Sequence, residues 1–172
     1  MVREPNSDNM KKLPTFLFLA YFCLMMIVLG GTIFSVMVEY PNWFADVPSS
    51  LEATRNFYKV LHPGYFFQTF ATLLLLTGIG FVITCWRLTP VRNLVLISIA
   101  MMIAIELLTF LYIYPRLWIM FGPDAASQTV DALRRAASEF TFADHIRTGM
   151  DIVASGISVA AMLKFFDGRR EV

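Results

Sequence analysis

The chain has 172 residues, of which 57% are hydrophobic and only 16% charged. Its mean hydropathy is +0.61, and an average soluble domain carries about 25% charged residues, so these values point to the membrane class. The net charge is +1, the Lys and Arg residues are scattered, and no glycine-rich phosphate loop accompanies them, which excludes a nucleic-acid partner and a nucleotide-binding loop.

A bilayer core takes about 20 apolar residues per helix. The first predicted span covers 13–38 and follows Lys11 and Lys12 as a signal peptide would. Its apolar core is too long for one and lacks a clear cleavage site, so a retained helix is expected. Its polar residues Thr32, Ser35 and Glu39 share one face near its end. The connection PNWFADVPSSLEATRNFYKVLHPG (41–64) carries a capping-box pattern at Ser49 and Glu52. Leu51, Tyr58 and Leu61 then predict an interfacial amphipathic helix.

The second span is predicted over 65–86, with His62 just before it and Gln68, Thr69 and Thr72 in its first two turns. The short connection RLTPVR leads to the third span, 91–115, which holds Glu106, Thr109, Tyr112 and Tyr114. A second amphipathic helix is predicted in GPDAASQTVDALRRAASEF (122–140), with Val130, Leu133 and Ala137 on one side and an Asp131–Arg135 pair. The fourth span covers 142–166. It contains His145 and a stripe of Asp144, Arg147, Thr148, Asp151, Ser155 and Ser158 at helical spacing. The expected fold is an all-α integral membrane four-helix bundle with two short extracytoplasmic amphipathic helices, forming one domain over 1–172.

Four spans put both termini on one side. That side holds Arg3, Lys11, Lys12, Arg87, Arg92, Lys164, Arg169 and Arg170 against Glu4, Asp8, Asp167 and Glu171. On the other side acids outnumber bases, so the positive-inside rule places both termini in the cytoplasm. Depth is then informative. The outer half of the bundle holds nearly every polar side chain, and the cytoplasmic half is almost bare. Glu106 lies nine residues before Pro115 and Asp151 nine after Phe142, which at 1.5 Å per residue sets each about 13 Å below the outer edge. The two carboxylates are therefore expected to meet at one depth, with Arg147 a turn above Asp151.

Carboxylates at such depth are costly and need a partner or a task. One reading is an ion-pair network in which Arg147 pairs with Asp151 and with Glu106. The other is a functional cavity in which a proton or a cation balances the excess acid. His62, His145, Glu39, Glu106 and Asp151 offer a mixed His/carboxylate set for a bound metal, although no E-x-x-H or H-E-x-x-H spacing is present. A haem held by His62 and His145 is a further option. Cys23 and Cys85 have no CxxC neighbour and read as apolar packing thiols. Trp43, Tyr58, Tyr65, Tyr112, Tyr114 and Trp118 read as an outer aromatic belt, part of which would wall a pocket. Gly30, Gly31, Gly78, Gly80, Gly149, Ser155 and Gly156 read as close helix packing.

Three segments together, GGTIFSVMVEYPNW, YIYPRL and HIRTGMDIVAS, resemble the small four-span bacterial membrane proteins grouped with the anthrone oxygenases. The resemblance covers about 15–166, and H-x-R at His145 and Arg147 is the nearest matching motif. It implies a four-helix bundle in a bacterial inner membrane and oxygen-dependent oxidation of a lipophilic phenolic polycycle without an obvious organic cofactor. On that footing Glu106 is the expected base, with Arg147 or His145 stabilising an oxyanion and Asp151 beside them. Tyr112, Tyr114, Thr148, Gln68 and Ser35 are the expected ligand contacts. The leading expectation is an oxidoreductase-like protein that binds an aromatic or quinone-like ligand. The alternatives are a non-catalytic membrane subunit that binds lipid or a partner, and a metal or haem carrier. With four spans, a transport pathway would need a homo-oligomer.

Overall fold

The structure is a computed structural model that describes residues 7–170. Every element is helical. The first span is built from α1 (Ser7–Phe34), a π-helical turn (Ser35–Glu39) and α2 (Tyr40–Trp43). α3 (Ser49–Phe57) lies in the connection to α4 (Pro63–Thr84), the second span. The third span joins α5 (Thr89–Leu108), a second π-helical turn (Thr109–Ile113) and α6 (Tyr114–Phe121). After a 3-10 turn (Ala125–Ser127), α7 runs unbroken from Val130 to Arg170. Four helices are long and apolar enough to cross a membrane. Leu76, Ile83, Leu111, Ile152 and Leu163 are exposed on their outward faces.

α1 packs on α4 and α7, while α5 packs on α7 and, through the smallest of the four interfaces, on α4. Two glycines set the approach of the spans. A Cβ on Gly31 would lie 2.6 Å from Phe66 Cε1, and one on Gly78 would lie 2.9 Å from Tyr21 Cδ2. Gly30, Gly149 and Gly156 do not serve this purpose, because a Cβ at each would meet nothing within 4 Å. Phe18, Tyr21, Leu74, Phe81, Met102 and Phe165 belong to the core between the spans. A second core of Tyr40, Trp43, Leu51, Ile113, Met120, Leu133 and Phe140 lies at the end of the bundle that carries the longer connections, called here the capped end.

Four local expectations change. The predicted second amphipathic helix is not separate, because its residues form the first turns of α7. Arg135 pairs with Glu139 at 2.9 Å rather than with Asp131. The capping box does not form. α3 starts at Ser49 itself, with Pro48 as the cap residue and no side-chain cap. The Ser49 hydroxyl instead donates to Asp46 O (2.8 Å) and Oδ2 (2.6 Å). α3 also ends before Leu61, which is exposed while Leu51 is fully buried.

The two π-helical turns share a cause. Each is followed by a Tyr-Pro pair, Tyr40-Pro41 and Tyr114-Pro115. A proline in a helix interior lacks the N–H donor and its ring presses on the carbonyl four residues back. One inserted residue widens the turn and relieves that clash.

Candidate functional site

The site is built on the buried face of α7. Thr32 and Tyr40 are eight positions apart on the first span, whereas Asp151 and Asp144 are seven apart on α7. On a regular α-helix, residues seven apart point within about 20° of each other, and residues eight apart diverge by about 80°. The π turn absorbs the extra residue, so both pairs meet. The Thr32 hydroxyl donates to Asp151 Oδ2 at 3.0 Å, and the Tyr40 hydroxyl donates to Asp144 Oδ1 at 3.2 Å. Arg147 Nη2 donates to the Tyr40 oxygen at 3.0 Å and is ion-paired with Asp144.

The second π turn does the same for the third span. Glu106 and Tyr114 are also eight apart, yet both line one recess. Its other walls are Val28 and Thr32 from α1, Phe67, Gln68 and Ala71 from α4, Met102, Ile105 and Thr109 from the third span, and Arg147 and Asp151 from α7. The recess lies where α4 faces the third span, across the smallest interface of the bundle. Gln68 is exposed and Glu106 and Tyr114 are partly exposed, so the recess is a cleft that reaches the apolar outer surface. Its volume is about 30 Å³. That is the share of one water in the liquid, and far below the 300–1,000 Å³ of an enclosing ligand pocket. It fits a polar head group, not a polycyclic ring.

Charge is unevenly matched here. The ion pairs among the described residues are Arg116–Glu139, Arg135–Glu139 and Arg147–Asp144. None involves Glu106 or Asp151, so the expected Arg147–Asp151 and Arg147–Glu106 pairs are replaced by Arg147–Asp144, at i,i+3 on α7. Among the described residues no donor reaches Asp151 Oδ1 and no acceptor reaches Arg147 Nε. Deeper in the bundle, the Tyr21 hydroxyl meets Ser158 Oγ at 2.9 Å, and Ser98 Oγ meets it at 3.1 Å. The tail half of the bundle is thus less bare than its hydropathy suggests.

Of the residues singled out from the sequence, Glu106, Arg147, Asp151, Tyr114 and Gln68 line the cleft. His145 does not. Two residues from Arg147 on a helix is about 200° around it, and the His145 side chain is exposed. Tyr112 turns away toward the capped-end core, with the Arg116 guanidinium 3.6 Å from its ring centroid. Thr148 lies one residue past Arg147 and outside the cleft lining. Ser35 donates to Glu39 Oε2 at 2.5 Å, and Glu39 also accepts from Tyr58. Burial and the hydrogen bond to Glu39 push the Tyr58 phenol up to about 12.

His62 caps α4, its Nδ1 accepting from Gly64 N at 3.1 Å. The expected metal set of His62, His145, Glu39 and Glu106 is therefore not gathered. Among the described residues no three His, Cys, Asp or Glu side chains form a metal-binding group. Tyr40 and Phe67 are the functional neighbours that the sequence reading passed over. The Tyr-Pro pair was the available signal for Tyr40, whereas Phe67 is one of many apolar residues in α4.

Comparison with family models, curated proteins and solved structures finds no match.

Proposed function

We propose that the protein binds a lipophilic molecule from the outer leaflet of a membrane, taking its polar head into the cleft between α4 and the third span. One observation carries this reading: the cleft is where Glu106, Asp151 and Arg147 all line a recess open to the apolar outer surface. The small volume assigns the head group to the cleft and leaves the ligand body against the exposed rings of Tyr65, Phe66 and Phe110. For an anthrone-like ligand the chemistry is an oxidation with dioxygen as co-reactant. Glu106 accepts the proton from the activated carbon, Arg147 faces the oxygen that gains charge, and the resulting anion gives its electrons to dioxygen.

A second reading is a non-catalytic membrane subunit that binds lipid. It is favoured by the Asp144–Arg147–Tyr40 link, which commits the guanidinium to tying the first span to α7.

The test is binding of anthrone and of a short-chain naphthoquinone to protein in lipid nanodiscs, with oxygen uptake followed in parallel. The expected result is at least tenfold weaker binding or turnover for Glu106→Gln and no change for His145→Ala. A folded Glu106→Gln variant with wild-type binding and turnover would overturn the catalytic assignment. Binding without oxygen uptake would support the second reading.

A further inference from the structure

The cleft contains more negative charge than its cations match. Glu106 and Asp151 both line it, and its one guanidinium, Arg147, is already paired with Asp144 and bonded to Tyr40. One buried atom marks where the balancing charge belongs. Asp151 is only 3% exposed. Thr32 serves its Oδ2, whereas no described donor reaches its Oδ1. Buried polar atoms are almost always satisfied, and an uncompensated buried carboxylate is costly.

We propose that the floor of the cleft is a binding site for a monovalent cation, held by Asp151 Oδ1 and the Glu106 carboxylate. A water molecule would satisfy lone pairs but bring no charge to balance the two carboxylates when both are ionised. A divalent ion fits poorly, since calcium takes six to eight oxygens and magnesium a near-octahedral set, and no three acidic, His or Cys side chains gather among the described residues. The volume of about 30 Å³ admits one dehydrated ion or one ammonium head. An ammonium brings three donors and no acceptor, which suits a wall of carboxylate oxygens. The cation has two sources: sodium or potassium from solution, or the protonated amine of a lipophilic molecule entering sideways. The site shares the cleft with the proposed function but does not require a lipophile.

The test is thermal unfolding of the purified protein in a neutral detergent, read by tryptophan fluorescence. N-methylglucamine chloride is replaced stepwise by sodium or potassium chloride at constant ionic strength, and in a second arm by decylammonium chloride. A saturable rise in the midpoint is expected. A rise with the metal ions identifies an inorganic source, and a rise with decylammonium alone identifies an amine head; both support the site. Asp151→Asn also disturbs the bond from Thr32, so Glu106→Gln, whose carboxylate makes no hydrogen bond to the described residues, is the decisive variant. Its half-saturating concentration should rise at least tenfold, while Asp124→Asn, in the connection before α7, should leave it unchanged. No saturable shift with any of these cations, or a shift that Glu106→Gln leaves unaltered, would overturn the proposal. A cation shift that persists when no lipophile binds leaves the site standing and removes the proposed function.

Discussion

Replacing Arg147 by Met tests whether the Asp144–Arg147–Tyr40 link holds the first span to α7. Arg147 is 9% exposed and Asp144 is 1% exposed, so the variant strands a buried carboxylate against the Tyr40 hydroxyl. Removing one partner of a buried ion pair costs about 3–5 kcal/mol. Replacing the whole link by apolar groups costs far less, because no charge remains to be desolvated. The triple variant Arg147→Met/Asp144→Leu/Tyr40→Phe is therefore expected to recover about 2 kcal/mol or more of the loss in the single variant. The assay is equilibrium unfolding by SDS in mixed micelles, followed by far-ultraviolet circular dichroism. A single variant that loses under about 1 kcal/mol, or a triple variant less stable than the single, would refute the reasoning, since neither fits a buried pair whose partner was removed. Lipophile binding by the triple variant is a second readout. If it survives, Arg147 acts only in the structure.

Gly31→Ala forces a Cβ to within 2.6 Å of Phe66 Cε1. It should cost about 1–3 kcal/mol in the same unfolding assay. Gly156→Ala, where nothing lies within 4 Å, should leave stability unchanged or raise it by up to about 1 kcal/mol, since alanine is the better helix former. Tyr58 titrates at about 12 because burial and its bond to Glu39 favour the neutral phenol. A folded pKa above the unfolded value of about 10 means its stabilisation is intact below pH 10 and is lost as pH rises through about 12. The phenolate absorbance of wild type minus Tyr58→Phe should show one transition near the higher value. Deleting Phe110, whose ring is exposed, removes the extra residue of the second π turn. Tyr114 would then stand seven positions after Glu106 on a regular helix, within about 20° of the Glu106 stripe. Binding of the lipophilic probes in nanodiscs should be retained, and a loss of binding would show that the π turn does more at the cleft than keep Tyr114 in register.

The four spans were legible because hydropathy over about 20 residues is a strong signal. The second span, read as 65–86, is the helix Pro63–Thr84. The depth argument was also sound in kind, since it placed Glu106, Arg147 and Asp151 together from residue counts alone, and all three line the cleft. Less legible was the join between the second amphipathic segment and the fourth span. No glycine or proline interrupts 130–148. The buried positions Leu133, Ala136, Ala137, Phe140, Ala143 and Asp144 run in phase from one into the other. Hydropathy marks where lipid contact starts, whereas the helix continues as long as nothing breaks it.

The errors of side-chain placement arise from the rule that a helix turns evenly. With that rule Arg147 pairs with Asp151 at i,i+4, and Tyr114 stands about 80° away from Glu106. Both π turns break the rule, and both do so just before Tyr-Pro. The first delivers Tyr40 to Asp144 and Arg147, which withdraws the guanidinium from Asp151. The second brings Tyr114, rather than Tyr112, to the cleft that Glu106 lines. Two prolines thus decide which charges in the bundle are matched. Asp144 receives the cation, Glu106 and Asp151 are left facing the cleft, and the chemistry of the site follows from what balances those two carboxylates.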